Sequence, residues 1–146
     1  MVKILIKKTS KEVITPKYKT DGSSGVDLSA FLDKEVVIKP NSSELIPTGL
    51  QVAIPKDLEI QIRPRSGLAA KENIGVLNSP GTIDSDYRGE LKIILFNHGN
   101  KDFIINNGDR IAQMVLVPIL KMEFEEVDSL PDTVRGQGGF GSTGKK

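Results

Sequence analysis

Apolar residues recur at every second position along most of this chain, and that period leaves room for strands and little else. Val2-Lys3-Ile4-Leu5-Ile6-Lys7, Val36-Val37-Ile38-Lys39, Leu58-Glu59-Ile60-Gln61-Ile62-Arg63 and Leu91 to Phe96 all carry it. Residues two apart share one face of a strand, so each run predicts a half-buried strand. Ile111 to Ile119 predicts a longer one, rich in β-branched and aliphatic residues. Turn signals divide the runs: Thr20-Asp21-Gly22, Lys39-Pro40-Asn41, Ile54-Pro55-Lys56-Asp57, Asn97-His98-Gly99-Asn100 and Asn106-Asn107-Gly108-Asp109. Many short strands at short spacing point to a sandwich, jelly roll or barrel. Only Ser66 to Asn73, with Ala69 and Ala70, reads as helix, with Ser66 as its cap. There is no internal repeat. The 146 residues predict one domain with a hydrophobic core of its own.

Composition removes several classes of function. The chain has no cysteine, which excludes a disulfide scaffold, a thiol nucleophile and a cysteine-ligated zinc site. Twenty basic and 19 acidic residues leave a net charge of +1. That balance gives no general attraction to nucleic acid or to an anionic membrane, so neither is an expected partner. No apolar run is long enough to span a bilayer, and Met1 to Ser10 lacks a signal-peptide core. The expectation is an intracellular, cytoplasmic protein, with nucleus and organelle left open.

A few residues offer chemistry. Asp84 lies in Gly81-Thr82-Ile83-Asp84-Ser85-Asp86-Tyr87-Arg88-Gly89. A carboxylate in a turn is a candidate general base, although spacing alone favours a turn residue bonded to its own backbone. Tyr87 is suited to stacking on a sugar or base, or to covering the edge of the core. Arg65-Ser66-Gly67 sits between a strand and the expected helix, where a guanidinium, a hydroxyl and backbone amides suit phosphate. The alternative, a cap beside a surface arginine, is equally consistent with the local sequence. Asp27 and Asp109 are candidate metal helpers, but aspartates beside glycine are usually turn formers. His98 is the only histidine and reads as a loop residue. No Ser–His–Asp arrangement is evident, and Ser66 has no identifiable base.

The C-terminus has a different character. From Asp128 the apolar period is lost, and Gly136 to Gly144 is dense in glycine around the single aromatic Phe140, with Ser142 and Thr143. Such a segment builds no core of its own, and its bland reading is a frayed end. Its glycines would let backbone amides converge on an anion. It is not a Walker A loop, because no strand precedes it and no Lys-Ser/Thr pair closes it. Composition and spacing reach a β-rich domain with phosphate contacts and stop there.

The order of the segments goes further. Ser24-Gly25-Val26-Asp27-Leu28-Ser29-Ala30, then Pro64-Arg65-Ser66-Gly67-Leu68-Ala69, then Gly81 to Gly89 continuing into Leu95-Phe96-Asn97-His98-Gly99, then Gly108-Asp109-Arg110-Ile111-Ala112-Gln113, then Arg135 to Gly144, follow one another along nearly the whole chain. In that order and at those separations they closely resemble the five motifs of the trimeric dUTPase family. The departures are mild: Val26 stands where a bulkier residue is common, and Ser24 where alanine is frequent.

The resemblance implies an all-β jelly roll with one short helix over residues 1–131, and a flexible glycine-rich C-terminal arm, 132–146, that closes over the active site. It implies a homotrimer with active sites shared between subunits. It implies hydrolysis of dUTP to dUMP and pyrophosphate with Mg²⁺, which keeps uracil out of DNA and supplies dUMP for dTMP synthesis. Asp84 would activate the water that attacks the α-phosphorus. Tyr87 would pack under deoxyribose and leave no room for a 2′-hydroxyl. Asn78 and the hairpin from Asn78 toward Leu91 would read uracil, largely through backbone groups. Arg65, Ser66, Gly67 and Gln113 would hold phosphates, and Asp27 would act through water on the Mg²⁺ shell. In the arm, Arg135, Ser142 and Thr143 would bind the distal phosphates beside Gly141, and Phe140 would stack on uracil.

Three rivals remain at this stage. A dCTP deaminase shares the fold but is expected to lack both the complete tail and the Ile83-Asp84-Ser85-Asp86-Tyr87 pattern. A catalytically idle nucleotide sensor is disfavoured by Asp84 and Arg135. A generic β-sandwich interaction module leaves the ordered motifs as coincidence.

Overall fold

In the computed structural model, described here for residues 1–139, eleven strands and one helix follow in order. They are β1 (Leu5–Lys8), β2 (Val26–Ser29), β3 (Val36–Ile38), β4 (Ser43–Pro47), β5 (Leu50–Ala53), β6 (Leu58–Arg63), α1 (Ser66–Glu72), β7 (Ile74–Val76), β8 (Gly81–Ile83), β9 (Lys92–Asn97), β10 (Phe103–Ile105) and β11 (Arg110–Pro118). Every pairing is antiparallel. The largest sheet runs β2-β11-β6-β8, a second runs β4-β9-β7, and two-stranded ribbons β1-β5 and β10-β3 complete the jelly roll.

The period-two reading explains why these segments are strands. In β6, Ile60 and Ile62 are buried, while the residues between them are only partly covered. In β9, Ile93 and Leu95 turn inward with Asn97. Together with Leu28, Ile46, Ile74, Val76 and Ile111 they form one continuous core drawn from both larger sheets. No helix among the described residues is long and apolar enough to cross a membrane.

The expected helix is present, but its start differs. Arg65, not Ser66, is the N-cap residue, with extended backbone at φ −89° and ψ 126°, and no side chain caps the helix. Ser66 already occupies the first helical position, so its hydroxyl does not serve as the cap. The cap position goes to a residue whose side chain is committed elsewhere, as described below. Asn73 ends the helix in the left-handed region at φ 56°, a conformation asparagine tolerates better than most residues.

One irregularity matters for function. Along β11 the register to β2 pairs Arg110 with Ser29 and Ala112 with Leu28, leaving Ile111 as an extra residue in a β-bulge. Ile111 and Ala112 are both buried in consequence, and Arg110 and Gln113 flank them on the outside. In a regular strand, residues three apart would face opposite sides. The bulge puts both polar side chains on the side that carries Asp27.

Candidate active site

Two groups of side chains come together on this frame. The first surrounds the loops on either side of β8. A pocket of about 300 Å³ is bounded by Asn78, Gly81, Thr82, Asp84, Tyr87 and Glu90, among others. The segment from Asn78 toward Leu91 is not a two-stranded hairpin as expected. β8 pairs with β6, whereas β9 pairs with β4 and β7, so the chain crosses from one sheet to the other. The pairing partners were set by strands distant in sequence, which a local reading could not see. β8 ends its sheet, and its outer edge therefore offers backbone donors and acceptors beside the pocket.

Asp84 and Tyr87 are joined through the backbone, with the Tyr87 N–H donating to the Asp84 carbonyl at 3.2 Å. The Asp84 side chain is exposed and takes no hydrogen bond or ion pair among the described residues. The turn at Asp84 is thus made by main chain, and its carboxylate is left for other work. The opposite holds at Asp109, whose Oδ2 accepts from the Asn106 N–H at 2.8 Å; there the turn-former reading is right. The Tyr87 hydroxyl donates to the Glu90 carbonyl at 3.0 Å. A Cβ on Gly89 would collide with the Tyr87 phenol, so that glycine is what lets the ring lie across the loop.

The second group gathers where β2, β11 and the start of α1 meet. Asp27 pairs in register with Gln113, and Gln113 with Arg63, so the three lie in a row across adjacent strands. Arg65 Nε donates to Asp27 Oδ1 at 3.0 Å, and Arg110 Nη1 donates to Asp27 Oδ2 at 2.9 Å. Arg65 Nη1 also donates to the Arg110 carbonyl at 3.1 Å. Gln113 Nε2 donates to the Pro64 carbonyl at 3.1 Å, tying β11 to the segment that carries Arg65. Ser66 and Gly67 are exposed on the first turn of α1. Lys17, Lys19, Ser29 and Arg110 line a wider cavity of about 580 Å³ on which Asp27 also borders.

These groups do not share a cavity within the chain: Asn78, Asp84 and Tyr87 line one, and Asp27 and Arg110 another. Arg135 belongs to neither. Its Nε donates to the Gly138 carbonyl at 2.7 Å, in a turn of the tail. Phe140, Gly141, Ser142 and Thr143 lie outside the described residues. Arg110 is the residue the sequence reading passed over. It stands inside the fourth motif, but the bulge that aims it at Asp27 has no signature in Arg110-Ile111-Ala112-Gln113.

A metal fits this arrangement in only one manner. Among the described residues no three His, Cys, Asp or Glu side chains cluster to cage an ion, and both oxygens of Asp27 already accept from arginines. Mg²⁺ commonly keeps several waters and is held by one or two carboxylates together with substrate phosphates. Asp27 fits that outer role.

The dUTPase family profile matches residues 11–144. A deoxyuridine 5'-triphosphate nucleotidohydrolase of Gloeothece citriformis is 53% identical over 143 residues, which cover 98% of this chain and 97% of the relative. The enzyme of the same name from Treponema denticola is 54% identical over 137 residues, 94% of this chain and 95% of its own. Among solved structures, a substituted Staphylococcus bacteriophage 80alpha dUTPase with dUpNHpp superposes with a TM-score of 0.87 at 26% identity, covering 97% of this chain and 98% of the phage chain. Fold and site together define a jelly-roll hydrolase of nucleotide metabolism. The chain belongs to the dUTPase family, the enzymes that hydrolyse dUTP.

Proposed function

We propose that the chain hydrolyses dUTP to dUMP and pyrophosphate by attack of an Asp84-activated water on the α-phosphorus. The observation that carries this is the placing of Asp84, with an uncommitted carboxylate, at the rim of the pocket bounded by Asn78 and Tyr87. Water forms the new bond to phosphorus and loses a proton to the carboxylate. The bond from phosphorus to the bridging oxygen breaks, and pyrophosphate leaves with the bonding pair. The open edge of β8 and Asn78 suit uracil, which offers a donor where cytosine offers an acceptor; a mismatch would leave buried groups unpaired. Tyr87 beneath the sugar excludes a 2′-hydroxyl.

Arg65, Ser66, Gly67 and Gln113 bind phosphate oxygens, and the fixed guanidinium stabilises charge on the leaving group. Bound Mg²⁺ supplies charge neutralisation at the phosphates, with Asp27 reaching its water shell. Arg135, Gly141, Ser142 and Thr143 close over the distal phosphates and Phe140 over the base, as the arm 132–146 folds onto the 1–131 domain.

The active unit is a homotrimer whose sites combine parts of different copies. Two observations favour this. The pocket group and the arginine group are separate within one chain, and Leu120, Met122 and Phe124 stand 95%, 79% and 85% exposed beyond β11, an apolar row suited to a partner. The dUpNHpp held by the phage relative supports a deoxyuridine nucleotide as ligand. Hydrolysis of dUTP, in the cytoplasm on this reading, would serve dTMP synthesis and limit uracil in DNA. The test is to offer each nucleoside triphosphate with Mg²⁺ and measure pyrophosphate. Release from dUTP, with UTP, dTTP and dCTP poor substrates, is expected; ammonia from dCTP, or equal rates on dCTP and dUTP, would refute the assignment.

A further inference from the structure

We infer that Arg110 is a positioning residue that sets both the orientation and the effective charge of Arg65 at the phosphate site, an inference that rests on the dUTP reading above. Residue 110 reaches Arg65 by two routes. Its carbonyl accepts directly from Arg65 Nη1 at 3.1 Å. Its guanidinium holds Asp27 Oδ2 at 2.9 Å while Arg65 Nε holds Oδ1 at 3.0 Å. Asp27 and Arg65 are largely covered, whereas the Arg110 side chain is half exposed. The bulge at Ile111 brings this about, since without it Arg110 would not share a side with Gln113 and Asp27.

Two physical consequences follow. The first is orientation. A guanidinium has five N–H donors in one rigid plane. Two of those on Arg65 are spent, on Asp27 and on the Arg110 carbonyl. The plane is thereby fixed, and one hydrogen on Nη1 and two on Nη2 are left for an anion in the fork geometry that suits phosphate. The second is charge. A lone Asp27 would pair with Arg65 and cancel most of the field it offers a phosphate. With Arg110 on its other oxygen, one carboxylate is divided between two guanidinium groups and the cluster keeps a net positive charge. Arg110 thus lets Asp27 hold Arg65 without quenching it. An ordinary exposed ion pair would have neither effect and would contribute little.

The test uses the full-length chain with Arg110→Ala, Arg65→Ala, the double substitution and Arg110→Lys. The α,β-imido analogue of dUTP is titrated calorimetrically in the presence of EDTA, so that no metal-linked role of Asp27 enters. Deoxyuridine, which has no phosphate, is followed by ligand-observed NMR. Arg110→Ala is expected to weaken analogue binding about tenfold, on the order of one lost charge-assisted contact, and to leave deoxyuridine binding unchanged. Arg110→Lys, which keeps a cation and one donor on Asp27, recovers part of the loss. In the Arg65→Ala background, removing Arg110 costs less than it does in the unsubstituted chain, because the orienting effect is gone and only the bared charge of Asp27 is still felt. An undiminished loss in that background would mean that Arg110 touches phosphate itself, and would overturn the inference. An equal loss of deoxyuridine binding, or no loss at all, would overturn it too. If the unsubstituted chain neither binds the analogue nor hydrolyses dUTP, it is the dUTP reading that fails.

Discussion

Asp84 shows how a single side chain is set apart by what it does not bind. Its neighbours make the turn through main chain, so the carboxylate serves no structural bond among the described residues. Asp84→Asn keeps size and removes basicity, and the turnover of dUTP should fall roughly 10²–10⁴-fold. Binding of the imido analogue should survive, as seen by calorimetry, because the base contacts lie elsewhere in the pocket. A variant that turns over near the unsubstituted rate would return Asp84 to the status of a turn residue. Gly89 is a second test at this scale. A methyl group there meets the Tyr87 phenol, so Gly89→Ala should tilt the ring away from the sugar. The selectivity for dUTP over UTP, measured as a ratio of kcat/KM values, is expected to drop on the order of tenfold, comparable to the disturbance of one side-chain contact in a shaped pocket.

At the scale of elements, long alternating segments were legible and short ones were not. Leu58 to Arg63 coincides with β6, and the reading of Ile111 to Ile119 is β11 shifted by one residue toward the C-terminus. Ile74-Gly75-Val76 and Gly81-Thr82-Ile83 are strands only because distant partners complete them; three residues containing a glycine carry too little period to stand out. The expected hairpin after Asn78 failed for the same reason, since which sheet a strand joins is a tertiary matter. The candidate site divides along that line. Asp27, Arg65, Asn78, Asp84, Tyr87 and Gln113 were named as candidates through the family resemblance. The bond from Arg110 to Asp27 was not, because a bulge is a property of pairing.

Asn97 belongs to the same lesson. It sits in the third motif, yet it is a buried tie. Its Nδ2 donates to the Ile38 and Lys101 carbonyls at 2.9 and 2.7 Å, and its Oδ1 accepts from the Gly99 N–H at 2.8 Å. Asn97→Ala strands those partners at the edge of the core. The expected loss is about 3 kcal/mol, read as a melting temperature about 10 °C lower. An unchanged melting curve would show that water replaces the amide.

For the whole molecule the question is how separate groups become one site. Asp84→Asn with its tail intact, and a chain ended after Pro131 with Asp84 intact, should each fold and each hydrolyse little dUTP. Unfolded together in equal amounts and refolded, they should regain activity. In a cyclic trimer whose sites take base and tail from different copies, every mixed trimer has one complete site. Random assembly makes about a quarter of all sites complete. Each variant refolded alone is the control. If mixed trimers are confirmed by mass and no activity returns, base and tail come from one chain, and the proposal of shared sites is wrong.

The extra residue in β11 has a consequence for how this strand tolerates change. Between Arg110 and Gln113 the chain keeps an even–odd count that a regular ladder would not, with two successive residues facing in and their two neighbours facing out. The length of this stretch is therefore fixed. Removing one residue would reset the parity of everything on one side of the cut, and either a guanidinium would be driven into the hydrocarbon interior or Gln113 would lose its place opposite Asp27. In this stretch the residue count, as much as the side chains themselves, keeps Arg110 and Gln113 on the side of Asp27.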